Sequence, residues 1–91
     1  MSSNYMTIVY TRFIPAANVK GSRITAFAFS GKKVEVNKDH SLSSEANHLA
    51  AAQEWLKKNV QDAPYLTLAG HGDTPNGEGY AFIFKNKFQE G

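Results

Sequence analysis

The chain contains no cysteine, so neither a disulfide framework nor a thiolate metal site is open to it, and its core must hold by packing alone. No apolar run approaches the roughly 20 residues that a membrane helix needs. A Walker A motif is missing, because no glycine-lysine pair stands at the required spacing. Charge of one sign is also scarce: the formal net charge is +2, which admits a nucleic-acid or acidic-protein partner without demanding one. Residues 1–5 lack the apolar segment of a signal peptide, and the expected location is a reducing cytoplasm.

What remains is an ordinary globular composition. The 91 residues, 42% of them hydrophobic and 20% charged, make one domain spanning 1–91, large enough for a modest core and too apolar for a disordered tail. One stretch has a clear helical period. Over residues 43–60, Leu49, Ala52, Leu56 and Val60 recur three and four apart with Trp55 at their flank, which predicts a helix with one covered face. Ser43 is the expected N-cap, Glu45 suits the positive end of the helix dipole, and Lys57 and Lys58 suit the other. Glu54 precedes Lys58 by four residues, the favourable order for an exposed ion pair.

The other segments read as strands and turns. Residues 7–14 are rich in β-branched and aromatic types and stop at Pro15. Residues 23–29 alternate, with Ile24, Ala26 and Ala28 on one face and Thr25, Phe27 and Phe29 on the other, and both faces are expected to be partly buried. Val34 and Val36 mark a third strand behind a tight turn at residues 30–32. Residues 65–69 predict a fourth strand, and residues 80–85 a fifth with Tyr80, Phe82 and Phe84 on one face. Between these two, residues 70–79 hold four glycines and one proline, which predicts a long exposed loop. The order is βββ-α-ββ, an α+β fold in which a small antiparallel sheet of five strands packs on one helix.

Three places have the residue types for chemistry. Asn18, Lys20, Gly21, Ser22 and Arg23, with Arg12 nearby, combine permanent cations, a hydroxyl and a glycine, the groups that a phosphate or carboxylate wants. A solvated loop has the same composition. His71 and Asp73 bring an imidazole and a carboxylate to the glycine-rich segment, but a dyad needs a held nucleophile and a metal needs a third ligand. His48, beside the apolar stripe, reads as a structural histidine, and His40 as a turn residue. Tyr10, Phe27, Phe29 and the aromatics of the fifth strand would offer bases a stacking platform, or a partner an apolar seam, if the sheet face away from the helix exposes them. No catalytic set is complete, so a non-enzymatic chain without cofactor or metal is expected.

Residues 11–24, with Thr11, Arg12, Phe13, Ile14 and Pro15 leading into Asn18, Lys20, Gly21, Ser22, Arg23 and Ile24, resemble a group of small proteins encoded by bacteriophages and prophages. So do residues 41–48 at the helix start and residues 79–82. The group prefers threonine where this chain has Ala17 and Val19. The resemblance implies an accessory protein that works in the host cytoplasm by binding a host protein or ribonucleoprotein, as an anti-CRISPR or other anti-defence inhibitor does. The residues themselves keep a nucleic-acid or nucleotide-binding module, and a homodimer, as alternatives.

Overall fold

The structure, a computed structural model, describes residues 6–17, 19, 21–61, 66–74 and 79–86. Three strands come first: β1 (Met6–Ile14), β2 (Arg23–Phe27) and β3 (Val34–Asn37). The helix α1 (Ser44–Asn59) follows, then β4 (Leu66–Asp73) and β5 (Gly79–Asn86). All four strand pairings are antiparallel, in the order β3-β2-β1-β5-β4. β1 lies in the middle of the sheet, and α1 connects β3 at one edge to β4 at the other. The expected α+β architecture is therefore the one found.

Register decides which residues face the helix, because side chains alternate across a strand. Val9 and Thr11 of β1, Ile24 and Ala26 of β2, and Phe82 and Phe84 of β5 point toward α1 and are buried. They meet Ala51, Ala52, Trp55 and Leu56. Burying a side chain of the size of Phe82 or Ile24 contributes roughly 1.5–3 kcal/mol, so these few residues supply most of what holds sheet and helix together.

The covered face of α1 is rotated from the predicted one. Its buried residues are Asn47, His48, Ala51, Ala52, Trp55 and Leu56, whereas Leu49 and Val60 are only half-buried. Leu49 and Val60 mark one edge of the stripe, and two polar residues with bonded side chains, Asn47 and His48, are buried within it beside the apolar ones. At the helix start Ser43 caps as expected, its Oγ accepting from the Ala46 amide at 3.1 Å. Glu54 lies 3.7 Å from Lys58 and 3.8 Å from Lys57, both exposed pairs.

Two further expectations need correction. The exposed loop predicted for residues 70–79 is in its first half a strand: Gly70, His71, Gly72 and Asp73 pair with Ile83, Phe82, Ala81 and Tyr80. Backbone hydrogen bonds do not need a side chain, and a register irregularity between Leu68 and Gly70 lets the glycines continue the ladder. Residues 75–78 lie outside the described residues. In β2 the two faces are not equally covered: Ile24 and Ala26 are buried, whereas Phe27 is exposed and Phe29, beyond the end of the strand, is fully exposed. One helix covers one face only.

Gly79 shows why the β1–β5 pairing needs a glycine. A Cβ placed there would lie 1.7 Å from the Thr11 carbonyl oxygen and 2.7 Å from its carbon. The two backbones approach too closely for any side chain.

Candidate functional site

Two surfaces have the makings of a site. The first is the sheet face opposite the helix. Tyr10 and Phe27 are cross-strand partners on it, 36% and 37% exposed, with ring centroids 5.8 Å apart and planes at 27°. Ile8 is exposed beside them, and its β5 partner Ile83 is half-buried. Arg12 and Lys85 share this parity through their pairings with Thr25 and Met6. On the β4 side the same face is bare, since Gly72 and Gly70 stand opposite Ala81 and Ile83. The result is an apolar ridge with cations near it and a shallow strip alongside.

The second surface is a cleft of about 640 Å³ at the N-terminal end of α1, lined by Arg12, Phe13, Pro15, Ser44, His48, Asp73, Gly79 and Tyr80. His48 is only 3% exposed, and its Nδ1 lies 2.7 Å from Thr11 Oγ1. The Tyr80 amide, 3.3 Å away, donates to the same oxygen. A hydroxyl has one proton to give. It goes to His48 Nδ1 or, where that nitrogen carries the ring proton and donates, to the Tyr80 carbonyl oxygen 3.4 Å away. Burial pushes the His48 pKa down, which keeps the ring neutral at pH 7. The Tyr80 ring, its centroid 4.7 Å from that of His48, holds the imidazole from the side.

The basic loop is only partly visible. Asn18 and Lys20 lie outside the described residues. Gly21 is exposed with open space around it, and Ser22 accepts the Lys38 amide through its carbonyl at 3.0 Å. Arg23 points across to β3, where its Nη1 donates to Glu35 Oε1 at 3.3 Å, so part of its charge is already answered inside the sheet. Arg12 has the parity of Tyr10, on the face away from α1, and borders the cleft from there.

His71 and Asp73 both lie on β4 but serve different neighbours. His71 Nε2 is 3.4 Å from Glu45 Oε2, and its ring lies against Phe82; Asp73 faces the cleft with His48. Among the described residues no three His, Asp or Glu side chains group as a metal site, and no helix is long and apolar enough to cross a membrane.

Sequence reasoning missed two polar residues that position these surfaces. Asn47, 3% exposed, accepts the Asp39 amide at 2.7 Å and donates from Nδ2 to the carbonyls of Asp39, Leu42 and Ser43 at 2.9, 3.3 and 3.0 Å. It fixes the turn that delivers the helix start to the cleft. Asn59 does the same for the β2–β3 turn. Their spacing on the helical stripe was the available signal: each falls on the His48–Trp55 side. No protein-family profile, curated protein or solved structure matches this chain.

Proposed function

We propose that this protein works by binding and not by catalysis, and that its contact surface is the sheet face opposite α1. The observation behind this reading is the Tyr10–Phe27 stack left open to solvent beside Ile8. Aromatic residues on an uncovered, otherwise apolar patch are the composition of an interface centre. Arg12 and Lys85 give the patch a positive border, which suits a protein partner with an apolar spot flanked by acidic side chains. With the resemblance of residues 11–24 to phage-encoded proteins, the reading becomes an accessory protein that occupies a host protein or ribonucleoprotein as an anti-defence inhibitor.

The test is functional. Expressed in bacteria whose CRISPR effector restricts a phage, the protein restores plaque formation and co-purifies with that effector, and the Tyr10→Ala/Phe27→Ala double variant loses both while keeping its circular dichroism. No protection and no complex with any effector tried would count against the inhibitor reading. Protection that survives the double variant would move the contact surface elsewhere.

The same stack favours a second reading, a nucleic-acid-binding module in which bases lie on Tyr10 and Phe27 near Arg12. That reading requires retention of single-stranded RNA or DNA at low salt and a steep loss of affinity as salt rises.

A further inference from the structure

The face opposite α1 is shaped to receive a copy of itself. We propose that two chains associate weakly and reversibly through it, sheet against sheet about a two-fold axis. The inference rests on the register and size of the side chains on that face and goes beyond the host-partner reading, so either can fail without the other.

Register lays the face out in transverse rows. Phe27 of β2 stands opposite Tyr10 of β1, Tyr10 opposite Ala81 of β5, and Ala81 opposite Gly72 of β4. Two aromatic rings are thus followed across the sheet by two small residues. The neighbouring row descends in the same direction, from Ile8 through Ile83 to Gly70. Neither row contains a charged residue; Arg12 and Lys85 stand in the rows beyond them, toward the two ends of the strands.

A two-fold axis parallel to the strands, lying between β1 and β5, reverses the strand order in the second copy and makes every contact occur twice. It sets Phe27 over the partner's Gly72, Tyr10 over the partner's Ala81 and Ile8 over the partner's Ile83. Aromatic rings therefore meet small residues, and two sheets can settle at the usual spacing of about 10 Å without the rings colliding. A second copy carries the complementary pattern by construction. The strands are 4 to 9 residues long; at about 4.8 Å between strands and about 3.3 Å per residue, the face covers roughly 500 Å². Two copies then bury about 1,000 Å², the lower limit for a specific interface. The dimer is accordingly weak, with a Kd of about 10–100 µM.

The experiment is sedimentation velocity on the purified full chain, without host material, from about 5 to about 500 µM. The average mass should climb from 10.0 kDa toward twice that value. Gly72→Val, at a position where an added Cβ meets nothing within 4 Å in the free chain, fills the seat of the partner's Phe27 and should weaken the dimer by about tenfold. Adding Phe27→Ala to that variant should recover part of the loss, because the two sites touch only across the interface. A second measurement holds even if Gly72→Val does not fold. In a mixture of isotope-labelled and unlabelled wild-type chains, nuclear Overhauser contacts should join the Phe27 ring to Gly72 of the other copy. Within one chain these residues are three strands apart, about 14 Å, too far for such a contact. A chain that stays monomeric at about 500 µM would overturn the proposal. So would a dimer lacking those contacts, or one that a folded Gly72→Val leaves unchanged or tightens.

Discussion

Asn59 closes both backbone polar groups of Lys32 at once: the Lys32 amide donates to Oδ1 at 2.9 Å, and Nδ2 donates to the Lys32 carbonyl at 2.9 Å. The last turn of the helix thereby grips the turn between β2 and β3. Gly31 makes room for this grip. It sits at φ +86°, where a side chain is strained, and a Cβ there would meet Asn59 Oδ1 at 2.9 Å and Trp55 at 3.0 Å.

Asn59→Ala removes both bonds and is expected to lower stability by about 1–2 kcal/mol, the site being partly open to water. Asn59→Asp keeps the acceptor and loses the donor, so it should fall between wild type and alanine at pH 7. Urea denaturation followed by tryptophan fluorescence, with Trp55 directly beneath the contact, reads both.

Asn47→Ala should cost more, about 2–4 kcal/mol, because it strips a buried side chain of its partners and leaves the Asp39 amide unanswered. A loss no larger than that of Asn59→Ala in the same denaturation series would show that the β3–α1 turn holds without it.

Gly79→Ala drives a methyl group into the Thr11 carbonyl and is expected to cost about 3 kcal/mol or more, since backbone cannot yield as a side chain can. Gly72→Ala on the neighbouring strand meets nothing within 4 Å and should change the melting temperature little. The contrast between the two glycines, measured by circular dichroism, is the check.

His48 makes stability depend on pH in a defined direction. Burial holds its folded pKa below the unfolded value of 6.5, so the unfolded chain takes up the proton first as pH falls. The contribution is full above pH 6.5 and is lost as pH falls from there through the folded pKa, with a slope of at most about 1.4 kcal/mol per pH unit. Asp39, its pKa lowered by hydrogen bonds from Ser41, adds a separate loss below pH 3.8. Chemical denaturation of wild type and His48→Gln between pH 5 and pH 7.5 isolates the histidine: the variant's stability should be flatter over that window.

The helix, its Ser43 cap and the alternation of side chains along β2 and β5 are legible in the sequence because local propensity and period set them, whereas which of the two sheet faces is buried is not. Residues 70–73 are not. Glycine composition reads as loop, and only the ladder offered by β5 makes Gly70 and Gly72 strand residues. The centre of the buried helix stripe is hidden for a related reason. His48, Asn47 and Asn59 look polar, and they are tolerated on the covered side only because Thr11 and Lys32 answer His48 and Asn59 from distant parts of the chain and Asp39 answers Asn47 from the preceding turn. The cleft escapes sequence reading altogether, since Arg12, Ser44, His48, Asp73 and Tyr80 come from four elements.

By itself the sequence determined the number and kind of elements and one apolar side for the helix, since hydrophobic spacing and capping act within a few residues. Tertiary structure alone decided which polar side chains are buried and which aromatics stay outside. Those outcomes depend on strand register and on a single helix having to cover a five-stranded sheet, relations between residues far apart in the chain.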